Sequence, residues 1–238
     1  MPSGRLNLHL PPLFSQLLDF IYPPVCLSCN RLLEDGSRKV CSDCWSSIQV
    51  VTRDLPLYEE TMGKLADTGV VDGLVTLFVF EKGSALQNIV HALKYRGIES
   101  LGRELGVRIG KRMKIWGVTG DVLIPIPLHR AKLRERGFNQ SRLLAEGISI
   151  ETGIPLSTRI VRRRKYTVSQ TTLSLDEREA NVAAAFEVPR KRVPDAAGRT
   201  FVLVDDIITT GATIKACAGE LVKAGAKGVV AASAALAQ

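Results

Sequence analysis

The sequence has no long hydrophobic run and no clear secretion signal. Its longest apolar candidate, residues 229–237, includes Ser233 and is far shorter than the ~20 residues that a membrane-spanning helix needs. At the amino terminus, His9, Pro11 and Gln16 stand where a signal peptide would carry its apolar stretch. We therefore expect a soluble, cytoplasmic protein without a membrane span.

The composition also lacks the biases of disordered and fibrous proteins. Hydrophobic residues make up 45% and charged residues 24% of the chain, which are ordinary globular values. The 20 glycines and 11 prolines follow no collagen-like period, and we find no internal repeat. The 238 residues suffice for one large domain, or for an ordinary domain with a small appendage.

Basic residues outnumber acidic ones, 32 to 24, which gives a formal net charge of +8. A surplus of this size suits an anionic partner such as nucleic acid, phosphate or pyrophosphate. It is equally compatible with a basic protein that is merely soluble. The charge alone does not choose between the two interpretations.

Four of the five cysteines lie within residues 26–44, in two CxxC pairs separated by eleven residues. Each pair offers two thiolates from one tight turn, and two such turns can complete a tetrahedron around Zn²⁺. Two disulfides or a redox dithiol are the alternatives, but clustered cysteines in a cytosolic chain favour metal. The predicted structural zinc ligands are Cys26, Cys29, Cys41 and Cys44. The isolated Cys217 is predicted to be a buried, inert thiol.

Apolar strand-like runs alternate with amphipathic segments over most of the chain. The pattern predicts helices at 13–21, 84–95, 100–115 and 139–152, and a last helix that ends at residue 224. Ser84 is the expected N-cap of the second helix. Predicted strands are 74–80, 121–127, 156–161, 185–188, 201–204 and 229–235. Such alternation implies βαβ crossovers, an α/β fold and a parallel sheet. We place a domain boundary near residue 70, with the amino-terminal helix and cysteine ribbon at 1–70 and the α/β domain at 71–238.

The segment 201–214 carries the most informative motif. Asp205 and Asp206 follow an apolar run, at the carboxyl end where parallel sheets bind ligands. A turn rich in threonine then leads into a helix, and its backbone N–H groups can cradle a phosphate. The turn consists of Thr209, Thr210, Gly211, Ala212 and Thr213. Adjacent carboxylates suit the vicinal hydroxyls of a ribose or a divalent metal. The alternative is a capped helix after a buried strand, with solvated acids.

A polar, basic loop is predicted to follow the strand at 121–127, which should lie beside the strand with the two acids. Its cationic side chains could neutralise pyrophosphate, or they could be the solvated start of a helix. The candidate residues are His129, Arg130, Arg134 and Arg136. His129 could be a general base, although a histidine among arginines is more often a hydrogen-bonding loop residue.

A second basic cluster spans residues 159–165 and precedes a polar stretch with few apolar anchors. Basic residues near Tyr166 suit a single nucleic-acid strand or a mobile lid over a polyanionic substrate. An exposed loop is the alternative. The candidate residues of this mobile loop are Arg164, Lys165, Gln170, Arg178 and Asn181.

The segment 201–214 resembles the PRPP-binding motif of type I phosphoribosyltransferases, where PRPP is phosphoribosyl pyrophosphate. In that family, two acids hold the ribose hydroxyls and the following turn holds the 5-phosphate. The resemblance implies these roles for Asp205 and Asp206 and for the turn at 209–213. It also implies Mg²⁺ that is bound mostly by the substrate.

Nearly the whole chain resembles the ComF family, whose members join a zinc ribbon to a phosphoribosyltransferase-like domain. The shared segments include both CxxC pairs, the HALKYRG string at 91–97, the RERGFNQS string at 134–141 and the motif at 201–214. This resemblance implies a type I phosphoribosyltransferase core with helices on both faces, and a link to DNA uptake in competent bacteria. A protein of the competence machinery that binds single-stranded DNA, or docks on a helicase-like ATPase, is the alternative to an enzyme with an unknown acceptor.

Overall fold

A parallel sheet forms the centre of the computed structural model, which describes residues 23–33, 39–163 and 185–237. In chain order, the strands are β1 (Gly73–Phe80), β2 (Val122–Pro125), β3 (Arg162–Arg163), β4 (Phe186–Glu187), β5 (Thr200–Ile208) and β6 (Gly228–Ala237). The parallel sheet has the order β1-β6-β5-β2, and β3 and β4 form a separate antiparallel pair. The predicted α/β fold with a parallel sheet is confirmed.

Helices connect these strands. They are α1 (Ser42–Ser46), α2 (Pro56–Ala66), α3 (Ala85–Tyr95), α4 (Glu99–Ile115), α5 (Arg130–Arg136), α6 (Gln140–Thr152), α7 (Val193–Ala196) and α8 (Ala212–Lys223). The Ser84 side chain caps α3 by accepting a hydrogen bond from the Gln87 amide, as the sequence predicts. Among the helices described, none is long and apolar enough to span a bilayer.

Apolar side chains cover both faces of the sheet. On β5, Val202 and Val204 belong to one buried cluster, which also takes in the apolar sides of α3, α4 and α6. Phe201 and Leu203 belong to the other, together with apolar residues of α2 and α8. Because successive strand residues point to opposite faces, a strand that is apolar throughout must be covered on both. The result is a sheet between two helical layers.

Glycines of α4 and α6 allow these two helices to pack closely against each other. A Cβ added at Gly106 would lie 2.1 Å from the Leu144 carbonyl oxygen, and one at Gly147 would lie 2.1 Å from the Arg103 carbonyl oxygen. The two helix backbones therefore approach more closely than any larger residue allows. Glycines that weaken a helix in isolation are required here for contact between helices.

Several local predictions are wrong. The segment 156–161 does not form a strand, because only Leu156 bridges to Leu123 and the following residues bend away. Helix α2 was not predicted, although a proline at its first position is typical of helix starts. The basic stretch after β2 is mostly the helix α5 rather than a loop. The predicted helix at 13–21 and the predicted mobile loop from residue 164 lie outside the described residues. The domain boundary near residue 70 stays a prediction.

Candidate functional site

The two acids lie inside the last part of β5, which continues to Ile208. The sequence placed them after a strand that ended at Val204, so the strand is longer than predicted. The adjacent strand is β2, and its Pro125 pairs with Val204. The expectation that these two strands are neighbours is confirmed. Both carboxylates therefore lie near the carboxyl ends of two parallel strands, which is the usual ligand-binding edge of such a sheet.

The Asp205 carboxylate is held by two hydrogen bonds to one oxygen. Its Oδ1 accepts from the Ser141 hydroxyl at 3.0 Å and from the Asp206 amide at 2.9 Å. Ser141 is buried in the first turn of α6, which Asn139 caps through the Ser141 amide. Burial, and next the neighbouring Asp206 carboxylate, raise the pKa of Asp205 to about 8. The uncharged form of Asp205 is therefore favoured well into the neutral range in the ligand-free protein.

The Asp206 carboxylate meets a lysine that the sequence interpretation did not select. The Nζ atom of Lys94, at the end of α3, lies 2.6 Å from Asp206 Oδ2. The two side chains are 23% and 9% exposed. The contact does not have the angles of a hydrogen bond, so it is a Coulombic contact between charges. The HALKYRG string was the available signal, but nothing in that string showed which acid its lysine would reach.

Arg163, in β3, is the second cation near the acids. Its charge interacts with Asp205, while burial lowers the pKa of its guanidinium. The guanidinium carbon lies 5.3 Å from the centre of the Phe186 ring in β4. The sequence grouped Arg163 with the mobile basic cluster, whereas the β3–β4 pairing brings it to the acid pair.

The turn between β5 and α8 presents unpaired backbone N–H groups. Gly211 is the N-cap of α8 with φ of 75°, a conformation that residues with a Cβ rarely adopt. A Cβ there would also lie 2.6 Å from the Leu65 side chain. Within the described residues, the amides of Thr209, Thr210 and Gly211 have no hydrogen-bond acceptor. These N–H groups, with the amino terminus of α8, suit an anion.

The threonines beside Gly211 are unevenly placed. Thr209 and Thr210 are exposed, whereas Ala212 and Thr213 are half-buried in the first turn of α8. The Thr210 hydroxyl accepts a hydrogen bond from the Ala212 amide at 3.4 Å. The predicted turn at 209–213 therefore forms one continuous structure after the acid pair.

The basic segment after β2 divides into exposed and anchored residues. His129 caps α5, because its Nδ1 accepts a hydrogen bond from the Ala131 amide at 3.2 Å. Arg130 and Arg134 are exposed. Arg136 is half-buried and donates to Gln140 Oε1 at 3.1 Å, while its guanidinium carbon lies 5.3 Å from the centre of the Tyr95 ring. Arg136 therefore contacts both the start of α6 and the end of α3.

The structure gathers all four predicted zinc ligands at one point. Their Sγ atoms lie within 4.8 Å of one another. The Cys26–Cys44 and Cys29–Cys41 distances are 3.8 and 3.7 Å. A tetrahedron with zinc–sulfur bonds of about 2.3 Å has edges of about 3.8 Å. The four thiols therefore fit Zn²⁺, and no position is left open for a substrate.

The surroundings of the thiols also suit metal-bound thiolates. The amides of Ser28 and Cys41 donate to the Cys26 sulfur at 3.5 and 3.3 Å. Arg31 lowers the pKa of Cys29 to about 6, mainly by hydrogen bonding. At Cys26 and Cys29 these effects favour the deprotonated sulfur that binds metal, whereas burial raises the pKa of the Cys44 thiol to about 12.

The ribbon packs directly against the sheet domain. Cys26 and Cys44 belong to the same buried cluster as β1 and α3. Trp45 stacks on Phe78 of β1 with ring centres 5.9 Å apart, and the Arg108 guanidinium lies 4.0 Å from the Trp45 ring centre. Metal bound by the ribbon would therefore stabilise a surface that the rest of the core shares.

Cys217 is buried in α8, and burial raises the pKa of its thiol, as expected for an inert cysteine. The remaining site candidates, on the predicted mobile loop, lie outside the described residues. They are Arg164, Lys165, Gln170, Arg178 and Asn181.

Comparison with known proteins matches both parts of the chain. The family model of the double zinc ribbon domain matches residues 17–55, and that of the phosphoribosyl transferase domain matches residues 139–238. A solved structure described as the allosteric regulatory enzyme of purine biosynthesis covers 60% of this chain and 29% of its own, with 22% identity and a TM-score of 0.40.

Two curated relatives align with most of the chain. Competence protein F of Haemophilus influenzae is 28% identical over 211 residues, which cover 79% of this chain and 86% of that protein. Competence protein ComFC of Bacillus subtilis is 27% identical over 207 residues, which cover 84% and 79%. The chain is therefore similar to ComF competence proteins over most of its length, and it has a zinc ribbon with four convergent cysteines before a phosphoribosyltransferase-type domain.

Proposed function

We propose that the site at the carboxyl end of β5 binds PRPP, or another compound with a ribose 5-phosphate group. One observation carries the proposal: after Ile207 and Ile208, the acid pair is followed by a turn whose backbone N–H groups have no acceptor among the described residues. Carboxylates accept hydrogen bonds from sugar hydroxyls, and the free amides of a turn donate hydrogen bonds to a phosphate. A sugar phosphate satisfies both at once.

Each part of the site has a role in this proposal. The amides at 209–211 and the amino terminus of α8 bind the 5-phosphate, whereas Asp205 and Asp206 bind the ribose hydroxyls. Arg130 and Arg134, on the helix that follows β2, face solvent, and we assign them to the diphosphate. Mg²⁺, when bound with the substrate, would neutralise charge on the diphosphate.

Pentosyl transfer is the reaction that this arrangement supports. The bond between the ribose C1 and the diphosphate oxygen would break, and a nitrogenous base would bond to C1 in its place. The side chains contribute mainly by electrostatics, because positive charge near the diphosphate stabilises it as it leaves. The zinc ribbon has no open ligand position, so we assign it a structural role. The relatives are competence proteins, and we place the activity in DNA uptake on that basis.

Calorimetry tests this proposal. The protein should release or absorb heat with PRPP and Mg²⁺, and the double variant Asp205→Asn/Asp206→Asn should show at least a tenfold loss of affinity. Asp43→Asn, on the exposed side of the ribbon, is the control and should bind as the wild type does. If millimolar PRPP gives no heat with the wild-type protein, the proposal fails.

A second function, as a DNA-binding or adaptor protein of the competence machinery, is favoured by exposed cations. Arg130 and Arg134 on α5, Arg159 before β3 and Arg190 before α7 all face solvent. In this alternative, a single strand of DNA binds the basic surface, and the ribbon docks a partner such as a helicase-like ATPase.

The salt dependence of DNA binding tests the alternative. Affinity for a single strand should fall steeply with salt. In Arg130→Ala/Arg134→Ala, the slope of log affinity against log salt should become less steep by about 1.4, because two phosphate contacts are lost. An unchanged slope would show that α5 does not contact the DNA.

A further inference from the structure

The two carboxylates of the acid pair repel each other when both are ionised. Asp205 and Asp206 are consecutive, and both lie in a partly buried part of β5. Two carboxylates so close to each other disfavour simultaneous ionisation unless a cation compensates them. A sugar hydroxyl, however, donates its hydrogen bond to an ionised carboxylate more strongly than to a neutral acid. A ribose site of this kind therefore needs a cation of its own.

Lys94 is the cation that makes direct contact with the pair. Its Nζ atom lies 2.6 Å from Asp206 Oδ2, and the Asp206 side chain is only 9% exposed. The contact joins α3 to β5, which are far apart in the sequence. A surface ion pair contributes little to stability, but one with a nearly buried partner cannot lose its cation without leaving an uncompensated charge.

We propose that Lys94 is a positioning residue of the ribose site, whose ammonium group compensates the acid pair and holds the Asp206 carboxylate where the sugar hydroxyls bind. The ribose part of this inference rests on the proposed function. The compensation of charge stands on the geometry alone.

The neighbours of Lys94 fix its place in the site. Tyr95, the next residue, contacts the Arg136 guanidinium, and Arg136 donates to Gln140. Ser141 follows Gln140 and donates to Asp205. These contacts therefore connect the end of α3, where Lys94 lies, to the start of α6, and the start of α6 to the acid pair. A shift of α3 would move the lysine and the arginine together.

The other groups that face the acids cannot replace Lys94. Arg163, from β3, acts on Asp205 and is half-buried at the Phe186 ring. Ser141, from α6, donates a neutral hydroxyl to Asp205. Cys217, from α8, is buried, and both burial and Asp205 raise the pKa of its thiol. Lys94 is therefore the cation in contact with Asp206 among the residues described.

The first test needs no ligand. The carboxyl ¹³C signals of Asp205 and Asp206, assigned with the Asn variants, are followed from pH 5 to 9.5 in the wild type, Lys94→Met and Lys94→Arg. Since Asp205 titrates at about 8 with the lysine present, its midpoint in Lys94→Met should rise by about one unit or more. Lys94→Arg keeps the charge and should titrate close to the wild type.

The second test follows PRPP affinity against pH by calorimetry. At pH 7.5, Lys94→Met should bind about eightfold more weakly or worse, because a rise of about one unit in the pKa of Asp205 lowers its ionised fraction by about that factor. Affinity should be partly regained at pH 9.5, where more of Asp205 ionises without the lysine. Lys94→Arg should stay within about threefold of the wild type. Lys64→Met, which removes an exposed lysine paired with Glu60, is the control and should match the wild type throughout.

The outcomes separate the two proposals. An unchanged carboxyl titration in a folded Lys94→Met protein overturns the role of Lys94, whether or not PRPP binds. A shifted titration in Lys94→Met without PRPP binding by the wild type at any pH supports charge compensation and overturns the ribose assignment. A loss of affinity in Lys94→Met that is equal at every pH also overturns the inference, because a merely structural role would give that result.

Discussion

The ribbon and the acid pair are two sites built in opposite ways. The ribbon takes all its ligands from residues 26–44, and two short spacings bring the four sulfurs together. The acid site takes its side chains from α3, α6, β3 and β5, which meet only because the sheet and its helices pack. The ribbon has its four sulfurs around one point, whereas the acid site borders a turn whose amides have no acceptor in the described part of the chain.

The difference explains how each site responds to change. A local site depends on its own ligands and on the metal that they bind. An assembled site depends on every contact that sets the distance between its segments, so a substitution remote from the acids can damage it. The following three predictions test this contrast, from the largest expected effect to the smallest.

Breaking the ribbon should have the largest effect on stability. Cys44→Ser removes a buried ligand from the cluster that the ribbon shares with β1 and α3. Zinc content should fall to near zero per chain, and the thermal midpoint should drop by about 10 °C, because several kcal/mol of metal-linked folding free energy are lost. Elemental analysis and calorimetry measure the two quantities.

The control for this experiment is Cys217→Ala, which should keep its zinc because Cys217 lies in α8, apart from the ribbon. Full stability of metal-free Cys44→Ser protein would show that the ribbon does not support the shared core.

Displacing α6 should damage the acid site and spare the ribbon. Gly147→Ala places a methyl group 2.1 Å from the Arg103 carbonyl oxygen, so α4 and α6 must separate and Ser141 must move with its helix. The free energy of unfolding should fall by about 3 kcal/mol, as for severe overpacking. Urea unfolding measures this loss, and zinc content should stay at one per chain.

Gly219→Ala is the matched control for this helix glycine. An added Cβ there meets no atom within 4 Å, so alanine should raise stability by up to about 1 kcal/mol through its better helix propensity. If Gly147→Ala is as stable as this control, the close contact of α4 and α6 is not needed to hold the acid site.

Neutralising Asp205 should change the free energy of unfolding least, and the change should be a gain in stability rather than a loss. Because its folded pKa of about 8 lies above the unfolded value, Asp205 supports folding below about pH 4 and loses that support as pH rises through 8. Asp205→Asn should therefore be more stable than the wild type near pH 8. Solvent screening at this half-buried site limits the gain to about 1–2 kcal/mol, and the gain should shrink towards pH 5. Unfolding by urea at several pH values measures it.

Asp54→Asn is the control for the direction in which stability changes with pH. Hydrogen bonds lower the pKa of the exposed Asp54, so any support that it gives is lost towards acid pH rather than alkaline pH. A gain for Asp205→Asn that is the same at pH 5 and pH 8 would contradict the raised pKa of Asp205.

The fold class and the ligands of the ribbon could be predicted from the sequence. Alternating apolar runs specify a parallel sheet, because strands buried on both faces need helices on both sides. The Ser84 cap and the adjacency of β2 and β5 were also predictable. The extent of β5 was not, because strand pairing with β6 carries the backbone past the apolar run and through both acids.

The amino-acid sequence by itself determined the ribbon, because short spacings in tight turns hold the cysteine sulfurs close together. It also determined the acid pair and the turn after it, which are consecutive in the chain. Only the tertiary structure decided that Lys94 reaches Asp206, that Ser141 reaches Asp205 and that the α4 glycines hold two helices close together. These contacts join segments that are distant along the chain, and their distances follow from packing on the sheet rather than from local spacing.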